Sequence, residues 1–290
     1  MLTHTRISVL IPALNEESMI VPALESVEWA TEVVVIDSGS SDRTAQIARE
    51  HGARVERFEY DGGSEKKKGW ALQHLELEGD WILILDADER VTSALRDEIL
   101  STTFEAQHSG YCIDREFHFL GRELRCFRPN WNLRLFRNGK GRMEDLGLHQ
   151  LPDTGDNEIH EQVVVDGSIG YLAHPLLHDD YRGITQWIDK HNRYATWEAH
   201  LYLQLRQQPI DMAVSALADP LRRKRVLRRL WVRLPARPIL RFLIWYGLRR
   251  GFVDGLPGLT YCALMGWYEL LIGIKVRELR RSDGGREASS

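Results

Sequence analysis

The chain has 290 residues, of which 43% are hydrophobic and 28% are charged. This length suits one large domain, or one domain with an appendage, and the composition excludes wholesale disorder. The net charge of −4 conceals an uneven distribution, because residues 221–250 contain eleven of the 38 Arg and Lys and no Asp or Glu. The remaining 27 basic residues face 42 acidic ones, so a mildly acidic body carries one strongly basic segment.

The N-terminal sequence and the cysteines bear on the compartment. MLTHTRISVL lacks a basic segment followed by a long apolar stretch, so we expect no signal peptide. The three cysteines, Cys112, Cys126 and Cys262, are odd in number and far apart. They form neither a metal-binding pattern nor a disulfide framework, which favours a reducing compartment.

The first hundred residues alternate between strand patterns and helical patterns. Apolar, β-branched runs predict strands at 7–11, 32–37, 53–58 and 81–86, and the segments between and after them predict helices. Asn15 is expected to cap the first helix. Alternation of this kind predicts an α/β fold, with a Rossmann-like, mostly parallel sheet flanked by helices.

Beyond residue 100 the pattern is mixed and then helical. Polar-interrupted strands are predicted at 111–120, 132–139 and 161–167, and a helix from 183 to about 207. We place a boundary where the character changes. This separates an α/β domain (1–218) from a basic, apolar helical region (219–280) and a disordered tail (281–290).

Polar residues follow three of the predicted strands. Ligands of open α/β sheets bind at the carboxyl ends of the strands, so these residues are expected to line one site. Asp86 and Asp88 fall on the same side of an extended segment, and their oxygens suit Mg²⁺ or Mn²⁺ held together with substrate phosphates. A lone Asp-x-Asp could equally be an ordinary capped turn, and Glu89 receives no role. The three segments are PALNEE (12–17), DSGS (37–40) and DAD (86–88).

Other residues and absent motifs narrow the chemistry. Asp37 could accept hydrogen bonds from a nucleobase or a ribose. Lys66, Lys67 and Lys68 could reach phosphate oxygens, or could form a solvated helix face. No G-x-G-x-x-G follows a strand, and no G-x-x-x-x-G-K-[ST] occurs. These absences argue against Rossmann dinucleotide binding and P-loop phosphoryl transfer.

Taken together, these segments resemble a known family. ISVLIPALNEES, VVVIDSGSSDRT, a lysine before WAL, and DWILILDADE resemble, in order and spacing, the inverting glycosyltransferases of family 2, which have the GT-A fold. Later segments resemble a subgroup that includes lipopolysaccharide-core β-glucosyltransferases: LRLFR (133–137), IHE (159–161), LLHDDY (176–181), RYA (193–195) and RFLIWYGLRRGFVDGLPGL (241–259). The resemblance implies a metal-dependent enzyme that moves a sugar from a nucleotide diphosphate, a UDP-sugar, to a lipid-linked, lipopolysaccharide or polysaccharide acceptor.

The resemblance also implies roles for individual residues. Asp37 would bind the base, Lys68 would approach the diphosphate and Asp86 would lie near the ribose. Asp88 would ligate Mg²⁺ or Mn²⁺. The nucleotide pocket would be lined by Pro12, Ala13, Asn15 and Glu17.

Four further positions are open or depart from the family. Arg134 could face the diphosphate or be a surface residue of its strand. His178 could be an additional metal ligand, a phosphate contact or a structural histidine bonded to backbone. Ser38 stands where the family often has a second acid, which puts part of the base recognition in doubt. Gly69 stands where relatives often carry a polar residue.

Inversion also requires a general base that deprotonates the acceptor hydroxyl. Glu161, in IHE, matches the His-Glu motif of the subgroup and is the favoured residue. Glu144 and Asp145 resemble the Glu-Asp pair at the base position elsewhere in family 2 and are the alternatives. Any of these acids could instead be a loop residue paired with an arginine.

The C-terminal region combines basic and apolar residues. Residues 222–250 mix arginines with Leu, Trp, Ile and Phe, and residues 259–274 are apolar apart from Glu269. A spanning helix requires about 20 apolar residues, so this shorter, interrupted run favours an interfacial or hairpin-like element in one leaflet. Basic residues near an anionic leaflet add about 1 kcal/mol each.

We therefore expect residues 221–275 to bind the cytoplasmic face of the inner membrane, peripherally or monotopically. A helical pair that forms a homo-oligomer is the alternative. Nucleic-acid binding is not favoured, because bulky apolar residues alternate closely with the arginines.

Two other functions fit a similar sheet. A nucleotidyltransferase would usually carry a glycine- and arginine-rich loop after the first strand, and PALNEES has neither residue. A non-catalytic, membrane-bound scaffold would not require acids at the ends of three strands.

Overall fold

The structure is a computed structural model. The chain forms two compact units. One unit comprises residues 1–150 with 155–180, and the other comprises 151–154 with 181–290. The predicted boundary between 218 and 219 falls inside the second unit and stays a prediction. The structure describes residues 5–61, 65–144, 162–178, 183–209 and 220–287.

Strands and helices alternate from residue 7 to residue 84, as the sequence predicts for the first hundred residues, and the described elements after residue 104 in this unit are mostly strands. Its helices are α1 (Ile20–Glu25), α2 (Thr44–Glu50), α3 (Lys67–His74) and α4 (Ser93–Phe104). Its strands are β1 (Ile7–Ala13), β2 (Glu32–Asp37), β3 (Arg54–Arg57), β4 (Trp81–Ile84), β5 (Glu89–Arg90), β6 (Gly110–Ile113), β7 (Arg115–Phe119), β8 (Arg122–Glu123), β9 (Asn132–Arg137), β10 (Gly141–Met143), β11 (Val163–Val165), β12 (Ile169–Tyr171) and β13 (Leu176–His178).

The described part of the first unit is organised around a seven-stranded sheet with the order β12-β6-β9-β4-β1-β2-β3. This order contains six pairs of neighbouring strands, and the four pairs that do not include β9 are parallel. β9 runs antiparallel to both β4 and β6. The predicted mostly parallel α/β sheet is confirmed.

The central strand β4 explains why an unbroken apolar run precedes the acids. Trp81, Leu83 and Leu85 belong to one hydrophobic cluster, whereas Ile82 and Ile84 belong to another. A strand buried on both faces requires apolar residues at consecutive positions. Leu85 N–H still donates to Leu10 O, and the acids follow immediately, beyond the end of the strand.

The prediction that Asn15 caps the first helix is wrong. α1 begins at Ile20, and Asn15 has a left-handed φ of 55°, which Asn tolerates better than most residues. Its side-chain Oδ1 accepts the N–H of Ser41 at 2.8 Å. The amide therefore joins two loops instead of capping a helix.

The predicted strand at 111–120 is divided at Asp114, because its halves join different sheets. β6 belongs to the large sheet, whereas β7 belongs to a four-stranded sheet with the order β5-β13-β7-β8. Asp114 is buried and accepts from Arg128 Nε at 2.8 Å and from Asn130 N at 2.6 Å. In the second sheet His178 pairs with Glu89 on one side and with Phe117 on the other.

The described helices of the second unit are α5 (Ile184–Gln207), α6 (Pro220–Trp231), α7 (Arg237–Leu243) and α8 (Gly255–Glu287). A π-helical turn (Ile244–Leu248) and a 3-10 turn (Gly251–Asp254) connect α7 with α8. α8 includes the whole apolar run 259–274 and extends into the segment for which disorder is predicted. Among the described residues one helix, Gly251–Arg281, is long and apolar enough to cross a membrane, a property that core helices of soluble proteins share.

Glu269, the charge within the apolar run, lies inside this helical unit. Its side chain is fully buried and pairs with Arg241 and, at 3.5 Å, with Arg237 Nε. Trp231 Nε1 donates to Glu269 at 2.8 Å, and Tyr202 Oη donates at 3.2 Å. The sequence predicts that the arginines of residues 222–250 lie at lipid headgroups. Two of them, Arg237 and Arg241, instead neutralise the buried Glu269 carboxylate, as burial of a charge requires.

Candidate active site

The loops that follow β1 and β2 are joined by side-chain to backbone hydrogen bonds. Glu17 accepts the N–H of Arg43 at 2.9 Å, and its own N–H donates to Asp42 at 3.2 Å. The bond from Ser41 N–H to Asn15 adds a third link. The residues predicted to line a nucleotide pocket therefore lie beside one another, with Pro12 and the buried Ala13 at the end of β1.

Asp37 shapes the loop after β2. Its carboxylate is buried and accepts the N–H groups of Gly39 at 3.2 Å and Ser40 at 3.1 Å, together with the Ser40 hydroxyl. Gly39 has a φ of 83°, a conformation that suits glycine. A carboxylate offers about four acceptor sites, so Asp37 retains capacity for a donor on a ligand.

Two basic side chains contact Asp86, just after the end of β4. Lys68 Nζ, from α3, is 3.1 Å from Oδ1, and the Arg134 guanidinium, from β9, is 2.5 Å from Oδ2. Burial alone would raise the pKa of Asp86, but the charges of Arg134 and Lys68 outweigh it and hold that pKa well below its usual range. Asp86 is therefore a carboxylate at neutral pH.

Glu89 is a second carboxylate of this group and is fully buried. It lies 2.7 Å from the Arg134 guanidinium and 3.4 Å from that of Arg115, and it accepts the N–H of Asp86 at 3.0 Å. Arg134 thus bridges Asp86 and Glu89. Burial alone would lower the pKa of Arg134, but these two carboxylates raise it.

An irregularity in β9 accompanies the position of Arg134. Tyr111 pairs with Leu135 and Cys112 pairs with Leu133, so Arg134 has no residue opposite it on β6. Bulges of this kind commonly redirect a side chain next to an active site. Arg134 is buried, which excludes the surface-residue alternative.

Asp88 and His178 form a second pair beside this group. His178 Nε2 is 3.5 Å from Asp88 Oδ2, and both side chains are nearly buried. The imidazole stacks on Phe117 with ring centroids 5.5 Å apart. Burial alone would lower the pKa of His178, but the charge of Asp88 outweighs it and raises that pKa.

The donor set constrains any metal site. In the part of the chain that the structure describes, no three His, Cys, Asp or Glu side chains converge as a closed cage. Asp88 with His178 fits a cation that takes its remaining ligands from phosphate oxygens and water, as Mg²⁺ usually does.

The remaining predicted residues are two lysines, Gly69 and the candidate bases. Lys66 and Lys67 are buried, so neither belongs to a solvated helix face. A Cβ at Gly69 would meet Met143 at an ordinary distance of 3.7 Å, which indicates no steric need for glycine. Glu161 and Asp145 lie outside the described residues. Glu144 directly follows β10, and its N–H donates to Gln162 O at 2.8 Å.

Sequence reasoning missed the roles of Glu89 and Arg115. Both are charged residues next to or within predicted strands, and buried strands rarely contain charges without partners. A charged residue next to or within a predicted buried strand therefore indicates that the residue has a partner, although the sequence does not identify that partner.

A model of "Glycosyl transferase family 2" matches residues 8–154. The chain belongs to glycosyltransferase family 2. This confirms the resemblance seen in the sequence and shows that the protein is a glycosyltransferase. The nucleotidyltransferase and non-catalytic alternatives therefore lose their support.

Relatives of this glycosyltransferase match most of its length. The lipopolysaccharide core biosynthesis glycosyltransferase LpsC of Rhizobium meliloti (strain 1021) is 31% identical over 220 residues, which cover 72% of this chain and 76% of the relative. An uncharacterized glycosyltransferase, RT0209, of Rickettsia typhi (strain ATCC VR-144 / Wilmington) is 26% identical over 283 residues, 94% of this chain and 87% of the relative.

Two solved structures are also similar to this glycosyltransferase. S. aureus TarS 1-349 in complex with UDP-GlcNAc has a TM-score of 0.48 and 13% identity, with 96% of this chain and 92% of that chain covered. Glucosyl-3-phosphoglycerate synthase from Mycobacterium tuberculosis, in complex with Mn²⁺, UDP and glucosyl-3-phosphoglycerate, has a TM-score of 0.31 and 26% identity, with 41% and 46% covered.

Proposed function

We propose that this glycosyltransferase transfers a sugar from a UDP-sugar to a lipid-linked saccharide, such as lipopolysaccharide core, with inversion at the anomeric carbon. The observation that carries the proposal is the charged cluster at the end of β4. There Lys68 and Arg134 flank Asp86, next to the Asp88–His178 pair. The name of the relative LpsC supports a lipopolysaccharide core acceptor.

The donor would extend along the carboxyl ends of β2, β1 and β4. Asp37 would accept a hydrogen bond from the base, and Asn15 and Glu17 would line the nucleotide pocket. Asp86 would lie near the ribose. Lys68 and Arg134 would offer positive charge to the diphosphate, and preorganised charge of this kind stabilises a leaving group as its charge develops.

A divalent cation completes the proposed site. Asp88, with His178 beside it, would hold Mg²⁺ or Mn²⁺. When bound, this cation neutralises charge that builds on the leaving diphosphate.

The acceptor side requires a base. Glu161 would remove the proton from the acceptor hydroxyl as the oxygen attacks the anomeric carbon from the face opposite the diphosphate. Glu144 and Asp145 are the alternatives. The Glu144 N–H donates to the carbonyl oxygen of Gln162, the residue that follows Glu161 in the sequence.

The metal assignment is tested by Asp88→Ala. We expect sugar transfer to fall by about 10²–10³-fold, the range for loss of one preorganised electrostatic group, and metal-dependent donor binding to be lost while the fold survives. Turnover with a screened donor, calorimetric donor binding with Mn²⁺, and circular dichroism measure these effects. Asp97→Ala, on the exposed face of α4, is the control. Normal turnover by Asp88→Ala would remove the metal role.

The base is tested by Glu161→Gln. Donor affinity should stay within about twofold, whereas turnover should fall by about 10²–10⁴-fold, the contribution of general base catalysis. Glu144→Gln and Asp145→Asn, measured in parallel, decide between the candidates. If one of these removes turnover and Glu161→Gln does not, the base is that residue.

The donor itself can be identified by thermal shift with Mn²⁺ and a panel of nucleotide sugars. A ligand that binds only the native state raises the stability of the protein. A panel in which no nucleotide or nucleotide sugar stabilises the chain would contradict the donor half of the proposal.

We also place the protein on the cytoplasmic face of the inner membrane. The support is the segment from the end of α7 through the connection to the first turn of α8, where Leu248 is 79% exposed and Leu256 is 72% exposed. Leu243, Phe252 and Val253 are also exposed there. Arg249 and Arg250 lie within the same connection, and the pairing of bulky apolar side chains with arginine suits an anionic lipid surface.

A further inference from the structure

Two large aromatic side chains are exposed beside each other in the first unit. Trp131 is 39% exposed and Tyr171 is 62% exposed. Their ring centroids are 5.0 Å apart and their planes are inclined by 74°, an edge-to-face arrangement that aromatic pairs prefer. Adjacent exposed apolar side chains commonly mark a binding surface, whereas single ones are ordinary.

The pair lies at the edge of the sheet where the acids stand. Tyr171 ends β12 and pairs with Cys112 near the end of β6. Trp131 directly precedes Asn132, which pairs with Ile113, the last residue of β6. Because β9 is antiparallel to both β6 and β4, β6 and β4 run in the same direction. Their carboxyl ends, and therefore both aromatic rings and Asp86, share one edge.

The position along this edge separates the pair from the donor residues. The sheet order places β4 between β9, β6 and β12 on one side and β1 and β2 on the other. Asp37 ends β2, so the aromatic pair and the proposed base-binding residue flank Asp86 from opposite sides. Arg134 follows Trp131 by three residue steps of mostly extended chain, a distance of about 10 Å.

We propose that Trp131 and Tyr171 form a saccharide-binding platform for the acceptor. The inference rests on the proposed function, since it identifies the other substrate of the same site. Pyranose rings present apolar C–H faces that pack against aromatic rings, while their hydroxyls require polar partners. Asn130 and Asn132 flank Trp131 and supply amides, and the Asn132 side chain already donates to Asn130 O at 2.9 Å. An aromatic surface bordered by amides suits a sugar better than a lipid.

The binding test uses the full chain labelled with 5-fluorotryptophan. Core oligosaccharide, released from lipopolysaccharide by mild acid so that no lipid is present, is titrated while ¹⁹F spectra are recorded. The Trp131 resonance is assigned by its loss in Trp131→Phe. We expect that resonance to shift saturably with the oligosaccharide and not with an equal concentration of inorganic phosphate. No shift, or an equal shift with phosphate, overturns the platform.

The kinetic test compares Trp131→Ala with Trp131→Phe and with Phe104→Ala, which removes an exposed aromatic ring at the end of α4. For Trp131→Ala we expect the KM for the oligosaccharide to rise about tenfold, equivalent to about 1.4 kcal/mol, with kcat nearly unchanged. Trp131→Phe should restore most of the affinity, and Phe104→Ala should behave as wild type. Tyr171→Ala repeats the test on the second ring if Trp131→Ala unfolds.

The two proposals fail in different ways. An unchanged acceptor KM in Trp131→Ala and Tyr171→Ala overturns the platform even if donor binding and turnover are normal. Absence of donor binding in the wild type contradicts the proposed function instead. In that event the ¹⁹F titration still decides whether the aromatic pair binds saccharide.

Discussion

At the scale of single residues, Glu89 changes the interpretation of the segment WILILDADER. The sequence shows three carboxylates within four positions, and only two of them match family roles. The structure places Glu89 at the bottom of the group, fully buried between Arg134 and Arg115. Its other oxygen accepts the N–H of Asp86. Glu89 is therefore a positioning residue that orients both Arg134 and the turn containing Asp86.

Removal of Glu89 should destabilise the protein strongly. Glu89→Ala leaves the buried Arg134 with one fewer counter-charge, and breaking a buried ion pair costs about 3–5 kcal/mol. Urea denaturation measures the free energy of unfolding. The control is Glu59→Ala, whose side chain is 74% exposed and pairs with Arg57 at 3.0 Å. That exposed pair should contribute at most about 1 kcal/mol. Equal losses for the two variants would refute the positioning role.

At the scale of elements, α5 shows how burial alters a side chain within a correctly predicted helix. The sequence predicts a helix from 183 to about 207, and the structure has Ile184–Gln207. His191 stacks on Trp187, one turn earlier, with ring centroids 3.6 Å apart. Burial lowers the pKa of His191 to about 4, with a smaller contribution in the same direction from the charge of Lys190. The periodicity of the segment predicts the helix but not this shift.

The lowered pKa of His191 predicts a pH dependence of stability. The unfolded chain binds a proton near pH 6.5, whereas the folded chain binds it only near pH 4. The stabilising contribution is therefore complete above pH 6.5 and is lost as the pH falls from 6.5 towards 4, by about 3 kcal/mol in total. His191→Phe retains an aromatic ring without a titrating group, so its stability should fall less over this range.

Urea denaturation of the wild type and of His191→Phe at pH 7.5, 6 and 5 measures the difference. The two curves of unfolding free energy against pH should separate as the pH falls. Parallel curves would show that His191 titrates in the folded protein as it does in the unfolded chain.

The four-stranded sheet is built mostly from strands that the sequence pattern does not predict. β5, β7, β8 and β13 are two to five residues long, too short for periodicity to be informative. Nevertheless this sheet aligns His178 with Glu89 and Phe117. The approach of His178 to Asp88 follows from that register.

At the scale of the whole molecule, the membrane proposal makes a direct prediction. The full chain should sediment with vesicles that contain anionic lipid, and salt should weaken the binding because screening reduces the contribution of arginine. Replacing Leu248, Phe252 and Leu256 together with aspartate should abolish sedimentation. The matched control replaces two exposed apolar residues of the first unit, Phe104 and Leu120, and should bind normally.

A measurement of molecular mass separates this proposal from its alternative. If the wild type ignores anionic vesicles and is a dimer that the triple variant dissociates, the apolar connection is an oligomerisation surface instead.

The sequence by itself determined the α/β organisation and the family. Alternating strand and helix patterns depend on local periodicity and turn chemistry, and the motifs ALNEES, DSGSSD and DADE are contiguous along the chain. Local patterns therefore predict where the strands end and which carboxylates follow them. On this basis the sequence predicts Asp86 and Asp88 as site residues, and the family resemblance adds Arg134 as a candidate.

Only the tertiary structure decided how these residues are paired. Arg134 contacts Asp86 across 48 positions of sequence and Glu89 across 45, because β9 is inserted antiparallel between β4 and β6. The same insertion brings Trp131 to the edge that carries the acids, where it meets Tyr171. Glu269 likewise finds Arg241 across 28 positions. Burial in a packed interior requires a counter-charge for each of these groups, but which residue supplies it depends on strand register and helix packing, which no local pattern encodes.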